Sequence, residues 1–336
     1  MAIAENVRLP DTVQAFGPED RLANDAGAGA GNPGQMMLAN EGRFESTYFS
    51  EPLTNYAVGW LEQNDIKATL DKIVPEIPVG RRFEFKKAAN TEQFLSESDD
   101  IRAIGADFKR VEFTGTSVNE KTYNKGLTIS VDADEQLGAD WQERYTRMLL
   151  QRLYRNELRR AIAAISAAAT NTALTWDTTA GKDPDFDVLS KIETSGDTRG
   201  IDANLILYGS TSWRKRSLSH RAQNTAGGFA SASLTPDQLA ELLGVDDVVV
   251  SKERYQSSAS AKTQVVANKV EIYYAQQQIS KDDPSDIKRF VSAVEGGGFV
   301  RVFVQVVNAK RTDLTIEHYS NIVMAGNLGV QQLTIS

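Results

Sequence analysis

The sequence contains no cysteine. Disulfides, thiolate nucleophiles and cysteine-type zinc sites are therefore excluded together. Histidine is almost as scarce, with His220 and His318 the two present, so most metal-centre and triad constellations lack their material. No run approaches the roughly eighteen apolar residues of a membrane span. The start of the chain has neither a basic n-region nor an apolar h-region. No secretory signal and no membrane partner are therefore expected, and the protein is expected to be soluble and made in the cytosol.

Catalytic and cofactor motifs are also missing. Gly29, Gly31 and Gly34 satisfy the spacing G-x-G-x-x-G, but Asn24-Asp25-Ala26 precedes them and Pro33 interrupts them. The strand–turn–helix that would make this a dinucleotide site is not there. The Gly296-Gly297-Gly298 turn has no following Lys-Ser/Thr, so it is no phosphate loop. Asp132 and Asp134 lack the loop glycine and closing glutamate of a calcium site. Ser217 and Ser219 flank His220, but neighbours on a helix seldom face each other, and a triad needs a third group and an oxyanion hole. A hydrolase using His220 and a nearby serine is the distant alternative. No catalytic residue, cofactor or metal is assigned.

What is present is an ordinary globular balance over 336 residues, 41% hydrophobic and 24% charged, with net charge −8. That length suits two modest domains or one elaborated one. The acidic balance argues against a dedicated nucleic-acid binder, although a local basic face could still touch phosphates.

The dominant stretch is residues 136–170. It is free of proline, rich in good helix formers, and its one glycine, Gly138, stands near the start. Leu137, Trp141, Tyr145, Leu149 and Leu153, then Leu158, Ile162 and Ile165 after a one-residue slip, trace one apolar stripe. Asp132 stands three residues before Glu135 as a capping box, with Asp134 as rival N-cap. A helix this long would span roughly 50 Å at 1.5 Å per residue. Its outer faces carry Arg144, Arg147, Arg152, Arg155, Arg159 and Arg160 against few acids (Asp140, Glu143, Glu157). That pattern fits a solvated helix face or a surface for a polyanion or a neighbour's carboxylates.

Around this helix the chain divides readily. Residues 1–48 are a low-complexity, glycine-rich arm, expected to be flexible. Residues 49–79 open with a short amphipathic helix (Leu53, Tyr56, Ala57, Trp60, Leu61), then an extended run around Pro75 and Pro78. Residues 80–134 show period-two strands (Phe83 and Phe85; Val111 and Phe113; Leu127, Ile129 and Val131) around a charged tip. The tip and its flanks hold Asp99, Asp100, Arg102, Lys109, Arg110, Lys121 and Lys125. An isolated two-stranded arm is marginal in water, so this one needs support, most economically from a neighbouring subunit.

Residues 135–185 hold the long helix, and residues 170–200 read as a polar connection with Trp176 and Phe186 as anchors. Residues 186–307 read as α+β: strands at 204–208, 248–250, 270–274 and 299–307, and a helix at 210–219. A second helix at 234–244 has Thr235 as N-cap, Pro236 at N1, Gln238 as capping-box partner and Gly244 at C′. Residues 308–336 return as strands, with His318 a structural residue on one of them.

Flexible N-arm, extended two-stranded loop, charged spine helix, compact α+β segment and returning C-terminal strand, in that order, resemble the major capsid protein of tailed bacteriophages, the Hong Kong ninety-seven fold that encapsulins share. FSEPLTNYAVG at 49–59 resembles that family's lead-in to the ordered core. LTPDQLAELLGVDDVVVSK at 234–252 resembles the helix-then-strand of its axial domain, and KVEIYYA at 269–275 the strand after it. The resemblance covers residues 45–336 and implies an α+β fold with spine helix, extended β-hairpin loop, and peripheral and axial domains. It implies no enzyme but a virion protein, assembled in the host cytoplasm. Its subunits would form pentamers and hexamers, close an icosahedral shell around double-stranded DNA, and meet portal, scaffolding and decoration proteins. The six helix arginines would face DNA or a neighbour, and the charged arm residues a neighbour. An encapsulin-like compartment is the close alternative. Residues 1–48 are too short for the cleaved scaffolding region of some members, and no residue pattern marks the lysine–asparagine crosslink of others.

Overall fold

The computed structural model describes residues 49–62, 65–87, 101, 102, 104, 105, 107, 108, 116–136, 138–179, 181–276, 285–294 and 298–336. The N-terminal arm, most of the loop tip and the strand expected at Val111–Phe113 lie outside these residues. The chain divides into two compact units. Unit 1 holds the described residues up to Ala57 together with Leu127–Leu149 and Arg301–Glu317; unit 2 holds Val58–Gly126, Leu150–Val300 and His318–Ser336.

In unit 2 a five-stranded sheet runs in the order β5 (Thr170–Leu174), β14 (Gln331–Ile335), β10 (Lys269–Tyr273), β6 (Leu205–Gly209) and β7 (Asp247–Ser251). The outer pairs are parallel and the two inner ones antiparallel. Strands buried on both faces read as unbroken apolar runs, and Leu205-Ile206-Leu207-Tyr208 is one.

Val270, Ile272, Ile206, Tyr208, Leu333 and Ile335 share a core with three helices. These are α4 (Pro184–Arg199), α5 (Ser210–Ala222) and α7 (Pro236–Leu243); α6 (Ala226–Ser233) packs on α5. The intervening residues point the other way. There Ser166 donates to Glu271 Oε1 at 2.5 Å, and Tyr273 donates to the Ile73 carbonyl at 2.9 Å. Those partners belong to α3 (Trp141–Ala168) and α2 (Asp65–Ile73). The sheet thus has helices on both faces. At the turn from β6 into α5 a side chain at Gly209 would meet the Ala267 carbonyl oxygen at 1.9 Å, so only glycine fits.

The second sheet runs β1 (Glu76–Pro78), β11 (Ile287–Ser292), β13 (Arg311–Met324), β12 (Val300–Asn308), with β4 (Tyr123–Asp132) beside β13. Within unit 1, Phe49 meets Phe303 edge-on at 6.3 Å, and Thr54 Oγ1 accepts from the Val302 amide at 3.1 Å. These contacts fasten the start of α1 (Glu51–Glu62) to β12.

The helix at 136–170 is real but shorter at its start. Gly138 adopts φ 86, a left-handed conformation that a continuous helix cannot pass through, and α3 begins at Trp141. Asp132 caps a separate 3-10 turn, Ala133–Glu135, accepting from the Asp134 amide at 3.0 Å. Leu149, Leu153, Leu158, Ile162 and Ile165 are buried as the stripe requires, and Leu150, Tyr154 and Ala161 widen it. At 28 residues α3 is about 42 Å long.

Two expectations are corrected. Residues 170–200 are not a polar connection: they hold β5 and the 16-residue α4. Asp183 caps α4, Pro184 follows it, and Gly200 closes it at φ 86. Trp176 is buried and donates to Asp187 at 2.9 Å, whereas Phe186 is 67% exposed and anchors nothing. The helix at 234–244 stands as expected, with the Thr235–Gln238 capping box formed in both directions and Gly244 left-handed.

Candidate functional site: the extended hairpin and the charged helix

The hairpin is built from β2 (Arg82–Lys87) and β3 (Thr116–Lys121), antiparallel in the register Phe83↔Glu120 and Phe85↔Val118. Alternation sends Phe83, Phe85 and Val118 to one face. That face lies on the chain's own β11 and β13. Phe290 approaches Phe83 to 4.3 Å and Phe85 to 5.4 Å between ring centres, and Val323 completes the cluster. The base of the arm therefore has support inside its own subunit, contrary to expectation. β4, expected within the arm, lies beside β13 in the second sheet.

Beyond the base the situation reverses. The described tip residues Ile101, Ile104 and Phe108 are 83%, 104% and 72% exposed. The Arg102 guanidinium covers the Phe108 ring at 5.1 Å. Asp99, Asp100, Lys109 and Arg110 lie outside the described residues. Lys121 is exposed and sits 5.6 Å from the Tyr123 ring. A groove of about 580 Å³ runs along the hairpin, lined by Arg82, Glu84, Asn119, Glu120, Lys121 and Tyr123 among others.

Lys125 turns inward. Its Nζ lies 2.9 Å from Glu157 Oε1 and 3.0 Å from Ser320 Oγ. Glu157, expected on the outer face with Asp140 and Glu143, is fully buried. The helical wheel explains this, because Glu157 is four residues from both Leu153 and Ala161. It also takes Arg160 Nη1 at 2.6 Å and Ser320 Oγ at 2.9 Å. Burial alone would raise its carboxyl, but His318, Lys125 and the Lys125 and Ser320 hydrogen bonds hold it down at about 2. The His318 ring lies 3.8 Å away, and its own burial pushes it down to about 4. At neutral pH His318 is therefore uncharged, and Lys125 and Arg160 are the formal charges against Glu157.

The helix arginines fall into two kinds. Arg147 donates to the Tyr56 hydroxyl at 2.8 Å, Arg155 to Glu253 at 3.0 Å, and Arg159 stacks on the Tyr255 ring at 3.9 Å. Arg144 rests 5.5 Å from the Tyr145 ring. Arg152 is exposed and has no hydrogen bond or ion pair among the described residues. Five of the six are thus engaged within their own unit.

The hydrolase constellation is not assembled. Arg216 grips Asp185 with two hydrogen bonds, 2.6 and 2.8 Å, and His220 Nε2 lies 3.1 Å from the same carboxylate. All three are buried. Ser217 Oγ donates to the Trp213 carbonyl, and Ser219 Oγ is buried without a hydrogen-bond partner among the described residues, so neither serine bonds to His220. Sequence reasoning missed Asp185 altogether, although Asp183-Pro184 marks the helix start that places it. Among the described residues no three His, Asp or Glu side chains could hold a metal, and no helix is long and apolar enough to cross a membrane.

No family model matches the sequence, and no curated protein matches it. Solved structures do. A phage-related protein from Bordetella bronchiseptica RB50 superposes with a TM-score of 0.63 at 18% identity, over 85% of this chain and 96% of that one. The virus-like particle from Pyrococcus furiosus gives 0.50 at 11%, covering 85% and 99%. A chain of Gordonia phage Cozz gives 0.50 at 12%, covering 80% and 86%. The chain shares the α+β fold of these phage-related and virus-like-particle structures.

Proposed function

We propose that this chain is a phage capsid shell subunit that assembles through pentamers and hexamers into an icosahedral shell around double-stranded DNA. The observation that carries it is the hairpin, anchored at its base by Phe83, Phe85 and Phe290 yet presenting Ile101, Ile104 and Phe108 to water. A soluble monomer gains nothing from a projecting arm with an apolar tip, whereas a neighbouring copy could cover it. On this reading β2, β3 and the stretch between them are the extended loop, and α3 is the spine. The sheet of β5, β14, β10, β6 and β7 with its helices is the rigid body that the loop serves.

Non-specific contact with packaged DNA would fall to exposed cations such as Arg152, with portal, scaffolding and decoration proteins as further partners. The virion is the proposed location, after assembly in the host cytoplasm. An encapsulin-like compartment is less favoured, since the phage-related structure superposes at 0.63 and the virus-like particle at 0.50. Sizing chromatography and negative-stain micrographs of the purified chain test the proposal. Hollow isometric particles or capsomers are expected, and a strictly monomeric chain at every concentration and salt would overturn it. Nuclease-protected DNA in particles from infected cells would separate virion from compartment.

A further inference from the structure

Two helices of unit 2 present solvent with short stripes of opposite charge. On α5 the exposed residues are Arg214, Leu218 and Arg221, at i, i+4 and i+7, with Lys215 half-buried at the margin. The other face of α5 is committed inward: Ser212, Arg216, Ser219 and His220 are buried. On α7 the exposed residues are Asp237, Gln238, Glu241 and Leu242, while Leu239, Ala240 and Leu243 enter the core. Each stripe thus holds one leucine more than half exposed, Leu218 at 54% and Leu242 at 58%, beside two like charges. Arg214, Arg221, Asp237 and Glu241 have no hydrogen bond or ion pair among the described residues.

We propose that the basic stripe Arg214–Leu218–Arg221 on one copy docks on the acidic stripe Asp237–Glu241–Leu242 of the next copy. This rests on the shell reading above and gives it an interface. The occupant follows from complementarity. A polyanion would suit α5 but would leave the acidic stripe and both leucines unexplained. A second copy explains both stripes at once, pairing two cations with two carboxylates beside a leucine–leucine contact. The two patches are different surfaces of one chain, so the contact is heterologous. Such contacts repeat head to tail and close into rings when the rotation permits. Opposed charges beside a small apolar contact also set which patch meets which, because like-charge juxtaposition is strongly disfavoured.

Charge reversal tests this directly. One variant carries Arg214→Glu and Arg221→Glu, a second Asp237→Lys and Glu241→Lys, and a third all four changes. All positions are exposed, so circular dichroism should match the parent. By sizing with light scattering, each two-site variant should lose about tenfold or more of its assembled fraction, and the four-site variant should recover it. Leu218→Ser and Leu242→Ser, which leave the charges alone, should each weaken assembly without altering the spectrum. Two-site variants that assemble like the parent would overturn the interface, as would a folded four-site variant that stays dissociated. The second result is what a polyanion on α5 would give. A parent that never assembles would instead overturn the shell reading, so the two failures are distinguishable.

Discussion

Glu157 and Arg152 stand on the same helix and are held in opposite ways. Glu157 is fully buried and meets Lys125, Arg160 and Ser320 inside its own unit, while Arg152 is exposed and makes no hydrogen bond or ion pair with the described residues. Taking a carboxylate out of water costs several kcal/mol, so a buried one persists only with partners built around it. An exposed guanidinium costs almost nothing to leave alone. The hairpin repeats the contrast, with Phe83 and Phe85 packed at its base and Ile101, Ile104 and Phe108 in water at its tip. Groups satisfied within the chain stabilise the fold; on the proposed shell reading, exposed groups are the ones a neighbouring copy could cover.

The largest expected effect comes from breaking the satisfied side. Phe290, on β11 of the second sheet, is fully buried beneath the hairpin. Phe290→Ala should cost about 3–5 kcal/mol of unfolding free energy by urea denaturation, the usual range for a buried aromatic truncated to alanine. A loss under about 1 kcal/mol would mean that the hairpin base is not part of the core.

Next in size is the pH dependence of the buried charges. His318 titrates near its ordinary 6.5 when unfolded and near 4 when folded. Between these values the unfolded chain binds the extra proton, so stability falls as pH drops from about 6.5 to 4. The magnitude is about 3 kcal/mol. Glu271, raised to about 7 by burial, has the opposite sign: the folded chain holds the extra proton, and stability falls as pH rises from about 4.5 to 7. The two slopes offset each other over most of that window. His318→Gln should therefore leave a protein that, relative to the parent, loses stability on raising the pH. Glu271→Gln should do the reverse. Thermal melts of the three proteins from pH 4.5 to 7.5 would decide it, and parallel curves would count against both burials.

How much of this could be read in the sequence depended on how locally each feature is encoded. The α7 caps were legible because Thr235, Pro236, Gln238 and Gly244 act within one helix. The β6 strand was legible as an apolar run. The partners of Glu157 were not, since Lys125 is 32 residues away and Ser320 is 163. Its burial was nonetheless written in the helical spacing from Leu153 to Ala161. The α4 helix escaped because only Val188 and Ile192 mark its large apolar side, although Asp183-Pro184 and Gly200 punctuate both ends. That Phe83 and Phe85 find Phe290, rather than a neighbouring subunit, is a long-range fact that no local pattern carries. The tip was legible as charged, and although most of it lies outside the described residues, its Ile101, Ile104 and Phe108 are exposed.

A smaller effect on folding, with a large one on assembly, is expected at that tip. Replacing residues 96–106 by a short Gly/Ser link removes Ile101 and Ile104, which are already exposed. Unfolding free energy should change by less than about 0.5 kcal/mol, the usual limit for surface changes. Particles should be replaced by capsomers or subunits in micrographs. Normal particles would show that the tip is not an inter-subunit clasp, and an unfolded variant would place it in the core.

The smallest effect is expected at Arg152, and it separates Arg152 from its neighbours on the same helix. Arg155 and Arg159 are engaged by Glu253 and Tyr255, so replacing them removes interactions as well as charge. Arg152→Gln removes charge alone, and its stability should stay within about 0.5 kcal/mol of the parent. If Arg152 meets a phosphate in the filled particle, DNA retention should become less salt-dependent, because one fewer counterion is released per subunit. The slope of log K against log salt would then fall by about one for each phosphate no longer neutralised. Arg155→Gln should show the converse, a measurable loss of stability with a smaller change in salt slope. The pair of measurements, melting and salt-dependent DNA release, reads the two kinds of arginine apart. Equal behaviour of Arg152→Gln and Arg155→Gln in both would remove the distinction between engaged and unengaged charge on this helix, leaving a uniformly solvated face.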